Sequence, residues 1–159
     1  MRILGWGVIW ARGFQMNEIK LVIYGEPVAQ GRPRFTTVHG FARAYDPAKS
    51  RNFKQWVRLC AIQAVKKIDG FKPFQNACIV DVTFYRHIPS SWSKKKRTEA
   101  DSGVIRPVSK NDIDNLYKCV TDACTGLLWV DDGIITDAHI RKRYTAELAR
   151  TEIIVKEVQ

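Results

Sequence analysis

A chain of 159 residues with 45% hydrophobic residues can fold as one domain around a buried core, so a composition typical of disorder is excluded. It has 26 Lys and Arg against 16 Asp and Glu, and this net charge of +10 favours a polyanionic partner such as nucleic acid. No apolar run approaches the roughly 20 residues that a membrane-spanning helix needs, which argues against a membrane protein.

Residues 1–15 are predicted to be an extension outside the domain. Residues 3–10 are apolar, but the run is short, no convincing cleavage site follows it, and Met16 begins a better-looking start. We expect a misassigned start codon and a single domain over residues 16–159; the alternative is a native N-terminal strand. The four cysteines form no C-x-x-C pair and no histidine pair has zinc spacing, so we expect reduced thiols in a cytoplasmic protein.

The first half of the domain is predicted to contain a strand, a basic loop and a helix. Residues 19–24 form a short apolar run that ends at Gly25, which predicts a strand. Arg32 and Arg34 flank Pro33 in a loop, where they are either solvated or clamp a phosphate. Residues 47–67 place apolar side chains at spacings of three and four, which predicts an amphipathic helix with a basic outer face.

The second half adds three strands and another helix. Alternating apolar residues predict a strand over residues 77–88. Four consecutive cations follow: Lys94, Lys95, Lys96 and Arg97. They form either a solvated surface or a DNA contact, and residues 98–108 are predicted to be a mobile loop. A helix is predicted from Asp112 to about Gly126, and residues 134–144 and 151–158 predict two antiparallel strands. This order predicts an α+β domain, a mixed sheet with helices packed on it.

An acidic window interrupts this basic chain. Residues 110–137 hold two lysines and six aspartates, whereas the remainder has 24 basic and 10 acidic residues. Asp112 at a helix cap and Asp114 in the first turn can reach the same space above the helix N-terminus, and Lys118 follows one turn later. Asp131 and Asp132 occupy a turn from which the chain can fold back alongside the helix. The spacing alone does not show whether Asp131 or Asp132 would act together with Asp112 and Asp114.

The acidic window indicates a divalent metal that acts on a polyanion. Aspartates in a first helical turn are common, because the helix dipole favours them, so a lone Asp-x-Asp would carry little weight. The second acidic pair, Asp131 and Asp132, and Lys118 make a metal site the better explanation. Mg²⁺ prefers oxygen ligands and is held by few carboxylates beside a substrate phosphate, where it activates water. Lys118 could stabilise the charge that develops on that phosphate.

The residues in and before this window also form a recognisable pattern. The run K-N-D-I-D-N-L-Y-K covers residues 110–118, D-A follows at 122–123, and G-L-L-W-V-D-D covers residues 126–132. Upstream, G-E-P-V stands at residues 25–28 and G-R-P-R-F at residues 31–35. Over about residues 19–158 the chain thereby resembles the RusA family of Holliday junction resolvases. Asn111 departs from the family pattern, which often has proline there.

The resemblance implies a homodimeric, magnesium-dependent endonuclease that introduces paired nicks across a four-way DNA junction, in DNA recombination and repair. By position, the metal-binding and catalytic aspartates of the family fall on Asp112, Asp114 and Asp132, in preference to Asp131. The essential lysine falls on Lys118. A junction has near-twofold symmetry and needs two nicks, so a dimer with one active site per strand suits it. We expect a phage or prophage origin.

The predicted DNA contacts lie outside the acidic window or at its edge. Lys142 matches a basic residue of the family on the following strand. With it we place Arg32, Arg34 and the four cations at residues 94–97 on the arms of the junction. Two other functions remain open: a non-catalytic DNA-binding module that has kept the fold, and a metal nuclease that cuts forks or flaps. The intact acidic set argues against the first, whereas the sequence does not exclude the second.

Overall fold

The computed structural model describes residues 17–32, 34–38, 41–45, 47–108 and 111–158, with the backbone alone at residues 34, 37, 38 and 41–45. The strands are β1 (Glu18–Tyr24), β2 (Arg34–Val38), β3 (Phe41–Tyr45), β4 (Cys78–His87), β5 (Ile135–Thr145) and β6 (Arg150–Glu157). The helices are α1 (Ala48–Val65), α2 (Lys94–Asp101) and α3 (Ile113–Cys124), and a 3-10 turn spans Asp132–Ile134. None of the helices within these ranges is long and apolar enough to cross a membrane. The predicted extension at residues 1–15 lies outside the described residues.

Four strands form one mixed sheet in the order β1-β6-β4-β5. Strand β6 runs antiparallel to β1 and to β4, whereas β4 and β5 are parallel. Parallel neighbours need a long crossover, and both α2 and α3 lie in the connection from β4 to β5. Strands β2 and β3 pair as a separate antiparallel hairpin. The fold is therefore the predicted α+β domain with a mixed sheet.

The core forms where the sheet meets α1 and α3. Alternate residues of β4, namely Val80, Val82 and Phe84, are fully buried, as the period of two in a strand requires. Leu116 and Val120 of α3 are also fully buried, one turn apart on the same side of that helix. Helix α1 packs against α3 and β1. As a result α3 is fixed by its apolar side, and its polar first turn is left at the surface.

Helix α2 corrects the prediction of a mobile loop that begins at residue 98. Residues 94–101 are rich in Lys, Arg, Glu and Ala, which are good helix formers. Ser93 is the N-cap, and its Oγ accepts a hydrogen bond from the Lys96 N–H at 3.4 Å. The β2–β3 hairpin was also not predicted. The last two strands, β5 and β6, run in opposite directions as predicted. They are not neighbours in the sheet, because β4 lies between them.

Candidate active site

The start of α3 presents two carboxylates to the surface. Asp112 is the N-cap residue, with φ −61° and ψ 140°, and Asp114 lies in the first turn; both are exposed. The Asp112 side chain makes no capping hydrogen bond, although its position predicted one. Among the described residues, its Oδ2 accepts one long hydrogen bond of 3.5 Å, from Asn115 Nδ2. Both carboxylates lie at the positive end of the helix dipole, where aspartate side chains are common, and neither is engaged by the helix backbone.

Lys118 lies one turn after Asp114 and is exposed. Residues four apart on a helix are neighbours on its surface, so the ammonium group shares the polar face that begins with Asp114. The structure therefore brings together three of the four predicted catalytic residues: Asp112, Asp114 and Lys118.

Asp132 lies in the 3-10 turn that follows α3, and its carboxylate is held by two donors. Its Oδ1 accepts a hydrogen bond from Trp129 Nε1 at 2.8 Å and a second from Thr125 Oγ1. Trp129 is fully buried, and Thr125 is the C-cap residue of α3. The sequence pattern contained Trp129 without assigning it a role, and Thr125 was missed. The carboxylate of Asp132 is thus fastened to the end of the helix opposite the Asp112 cap.

Two groups near Asp132, the Tyr117 hydroxyl and the Cys124 thiol, have raised pKa values. Burial, with a smaller contribution from the Asp132 carboxylate, raises the pKa of Tyr117 to about 12. Burial likewise raises the pKa of Cys124 to about 12, with Asp132 adding to the shift and Arg58 opposing it. The hydroxyl of Tyr117 is buried and has no hydrogen-bond partner among the described residues. The raised pKa values keep Tyr117 and Cys124 protonated at neutral pH.

The length of α3 separates the predicted ligands into two sets. Its 12 residues span about 18 Å at 1.5 Å per residue, with Asp112 at one end and the Thr125–Asp132 contact at the other. Accordingly, the described part of the chain holds no group of three or more His, Cys, Asp or Glu side chains that could hold a metal ion. Asp112 and Asp114 are brought together, and Asp132 does not join them within one chain.

Two other aspartates of the window have structural partners. Asp131 accepts a hydrogen bond from the Gly133 N–H at 2.8 Å and so caps the 3-10 turn. Asp122 pairs with Lys54 of α1, with Nζ and Oδ2 at 3.0 Å. These two carboxylates are accounted for by the fold, which supports the distinction between them and the exposed pair at the start of α3.

Two segments are fastened beside Asp112 and Asp114. Lys142 of β5 donates from Nζ to the Asn111 carbonyl at 3.0 Å, directly before Asp112. The Gln30 N–H donates to the Asn115 carbonyl at 2.8 Å, one residue after Asp114. Arg32, which is exposed, follows Gln30 by two residues and therefore lies on a loop anchored to the first turn of α3. Sequence analysis identified Lys142 and Arg32 but gave no signal for Gln30.

The four consecutive cations form the first turn of α2. None of the ion pairs within the described ranges involves them, and Lys94, Lys95 and Lys96 are exposed. Cations at a helix N-terminus are opposed by the helix dipole, so this turn has a strong positive potential. Lys96 Nζ lies 3.9 Å from the ring centroid of Trp92. The remaining predicted DNA contact, Arg34, lies in β2, where the described residues include its backbone only.

The chain is similar to known proteins over most of its length. Residues 24–156 match the family model described as Endodeoxyribonuclease RusA. The chain is also 42% identical over 145 residues to the "Uncharacterized protein YqaN" of Bacillus subtilis (strain 168). That alignment covers 90% of this chain and 99% of the Bacillus protein. The family match spans every element from the end of β1 to β6, including both ends of α3.

Proposed function

This chain belongs to the RusA family of endodeoxyribonucleases, and from that premise we propose that it is a magnesium-dependent enzyme that resolves four-way DNA junctions by paired nicks. The family implies a junction-resolving endonuclease, that is, a hydrolase of DNA phosphodiesters. The observation that best supports the proposal is the exposed pair Asp112 and Asp114, with Lys118 on the same face of α3. The basic turn of α2 and the loop carrying Arg32 supply charge for the polyanionic arms.

The donor set at the start of α3 fits a magnesium ion. Mg²⁺ is usually held by one or two carboxylates together with substrate phosphate and water. Asp112 and Asp114 would supply the carboxylates, and the bound ion would polarise the phosphate and lower the pKa of a water molecule. Lys118 would hold a nonbridging phosphate oxygen and stabilise the charge that develops there. Lys142 positions this site by holding the Asn111 carbonyl directly before Asp112.

Asp132 is the third proposed ligand, and a homodimer offers a way for its carboxylate to reach the other two ligands. Its carboxylate is tied to Thr125 and Trp129 at the far end of α3. It forms no group of three with the pair at the start of α3 among the described residues, and it would join them if its side chain or segment moves or if a second copy of the chain supplies it. A symmetric dimer repeats the same surface on both chains, so a carboxylate unable to serve its own chain can serve the partner.

The test of the catalytic assignment is Asp114→Asn against a labelled four-way junction. We expect nicking in Mg²⁺ to fall by about 10²- to 10³-fold while junction binding at low salt is retained, because a charge-stabilising group is lost and the basic surfaces remain. Wild-type protein should be compared on a junction, a fork, a flap and a duplex. A variant that nicks the junction at the wild-type rate would exclude Asp114 as a ligand. Preferred cutting of forks or flaps would replace the proposed substrate.

The dimer is tested by mixing two inactive variants, Asp114→Asn and Asp132→Asn. If Asp132 serves the partner, random exchange restores about a quarter of the wild-type sites, since about half of the dimers are mixed and each has one intact site. If Asp132 serves its own chain, the mixture stays as inactive as either variant alone. Size-exclusion chromatography with light scattering gives the oligomeric state; a monomer that resolves junctions would contradict the homodimer.

A further inference from the structure

A cavity of about 360 Å³ lies between α2 and the turn that follows β5. Its apolar lining comes from Ile88, which is fully buried, and from Trp92 and Ala146. The volume is at the lower end of the range of cavities that bind small organic groups. We name this cavity the α2 pocket.

The remaining lining is polar and comes from α2. Lys94, Arg97, Thr98 and Asp101 complete the α2 pocket. The Asp101 Oδ1 accepts a hydrogen bond from the Ala146 N–H at 2.7 Å and so joins the two sides. The polar lining therefore carries two cations, Lys94 and Arg97, and one carboxylate, Asp101, which already accepts a hydrogen bond. An apolar floor with a cationic rim matches the chemistry of a nucleotide, whose base is flat and apolar on its faces and whose phosphate is anionic.

The ring of Trp92 is held in place at the edge of the α2 pocket. Tyr144 of β5 contacts it edge to face, with 5.1 Å between ring centroids, and the Lys96 ammonium covers its face at 3.9 Å. A phosphate that draws Lys96 away would expose this face of the indole to a base. The pocket can therefore offer aromatic stacking as well as charge once DNA is bound.

Strand β5 connects the α2 pocket to the start of α3. Lys142 and Tyr144 are two residues apart and so lie on the same face of β5. Lys142 reaches Asn111 beside Asp112, and Tyr144 reaches Trp92 at the pocket. Two residues of a strand span about 6.6 Å, whereas a stacked DNA strand rises about 3.4 Å per nucleotide. A DNA strand that follows β5 from the carboxylates thus arrives at the pocket after only a few nucleotides.

We propose that the α2 pocket binds one unpaired nucleotide of the DNA strand being cut, with its base on Trp92 and its phosphate on Lys94 and Arg97. The inference rests on the proposed DNA-cleaving function and adds a subsite to it. A base inside a duplex is stacked and paired and cannot enter such a pocket without being extruded. The pocket therefore favours DNA with an unpaired or readily opened base near the cut over a continuous duplex.

The test combines variants that fill the pocket with DNA that lacks a base. Ala146→Phe fills it from the turn after β5, and Thr98→Phe fills it from α2; both residues are exposed. Leu148→Phe is the matched control, since Leu148 is 70% exposed on the same turn and does not line the pocket. Binding to a four-way junction is measured by fluorescence anisotropy in EDTA, with a single abasic residue moved along the strand that is cut.

We expect each filling variant to weaken binding of the intact junction about tenfold, the size of one lost base-stacking contact, while Leu148→Phe binds as the wild type does. One or two abasic positions should weaken wild-type binding to the same extent, and at those positions the filling variants should lose nothing more. Wild-type affinity in both filling variants, or the same loss at every abasic position, would overturn the proposal.

Thermal unfolding of all three variants checks that each of them is folded. Because binding is measured without Mg²⁺, the pocket is judged separately from the chemistry. Wild-type protein that shows the base-dependent pattern yet never nicks a junction in Mg²⁺ would refute the proposed catalysis and retain the pocket.

Discussion

Replacing Asp132 by alanine or by asparagine separates its structural role from its charge. Its Oδ1 accepts hydrogen bonds from Trp129 Nε1 and Thr125 Oγ1. Alanine removes the acceptor, whereas the carbonyl oxygen of asparagine can occupy the same position and accept both bonds. Both substitutions remove the negative charge that the proposed mechanism requires. We therefore expect both variants to lose junction cleavage and only the alanine variant to lose stability.

The size of that stability loss follows from the burial of Trp129. The indole is fully buried, so its N–H cannot turn to water when its acceptor is removed. An unsatisfied buried donor costs about 1–3 kcal/mol. For a domain of this length each kcal/mol shifts the melting temperature by roughly 2–4 °C, so a loss of about 2 kcal/mol lowers it by about 4–8 °C. Asp132→Asn should melt within about 2 °C of the wild type.

The assay is thermal unfolding followed by circular dichroism at pH 7 in EDTA, with junction cleavage measured in parallel. Asp131→Ala is the control, because Asp131 only caps an exposed 3-10 turn and its loss should cost under about 1 kcal/mol. If Asp132→Ala melts as the wild type does, or if the asparagine variant is destabilised equally, Asp132 does not hold Trp129 in the way that the structure indicates.

Three further variants probe the charges around α3 and α2. Tyr117→Phe should raise the melting temperature by about 2–4 °C, because it removes a buried hydroxyl that has no partner among the described residues. It should also flatten the alkaline loss of stability: the pKa of Tyr117 is raised from 10.0 to about 12, so the folded state holds the proton more tightly and wild-type stability falls as pH rises through this interval. Denaturant titrations at pH 7, 10 and 12 check both points, and a wild-type stability that rises over the interval would contradict them. Asp122→Asn should keep junction cleavage within about threefold and cost under about 1 kcal/mol, because Asp122 pairs with Lys54 on a partly exposed surface; loss of cleavage would move Asp122 into the active site. Replacing Lys94 and Lys95 by glutamine should reduce the slope of log affinity against log salt by about 1.8, since each lost phosphate contact contributes about 0.9. An anisotropy titration that gives an unchanged slope would remove both lysines from the DNA contact.

The elements predicted most accurately from the sequence are those in which buried residues recur at regular spacing. Strand β4 and helix α3 were located within a few residues, because alternate residues of β4 and one side of α3 are buried. Helix α2 was missed in part because its charged residues have no apolar period, and only its propensity for helix indicates it. The β2–β3 hairpin has five-residue strands, too short for an alternating pattern to be distinctive.

The candidate site was predictable where it depends on local spacing. Asp112, Asp114 and Lys118 share one helix, so a residue count places them together. Asp122 and Lys54 are 68 residues apart, and only the packing of α1 on α3 brings them into contact. The position of Asp132 depends on how the chain turns after α3, and its donors Thr125 and Trp129 are visible only in the folded turn.

The two ends of α3 hold their carboxylates for different physical reasons. At the N-terminus the helix dipole favours the charge of Asp112 and Asp114, so their presence alone requires no function. At the C-terminus the dipole opposes the charge of Asp132, typically by about 0.3–1 kcal/mol, and after burial this charge is the second cause of the raised pKa values of Tyr117 and Cys124. A neutral asparagine would satisfy Trp129 and Thr125 equally well. The fold therefore explains the acceptor at position 132 and leaves its charge unexplained. The proposed mechanism assigns that charge to metal binding, and the asparagine variant isolates it because it keeps the acceptor and removes only the charge.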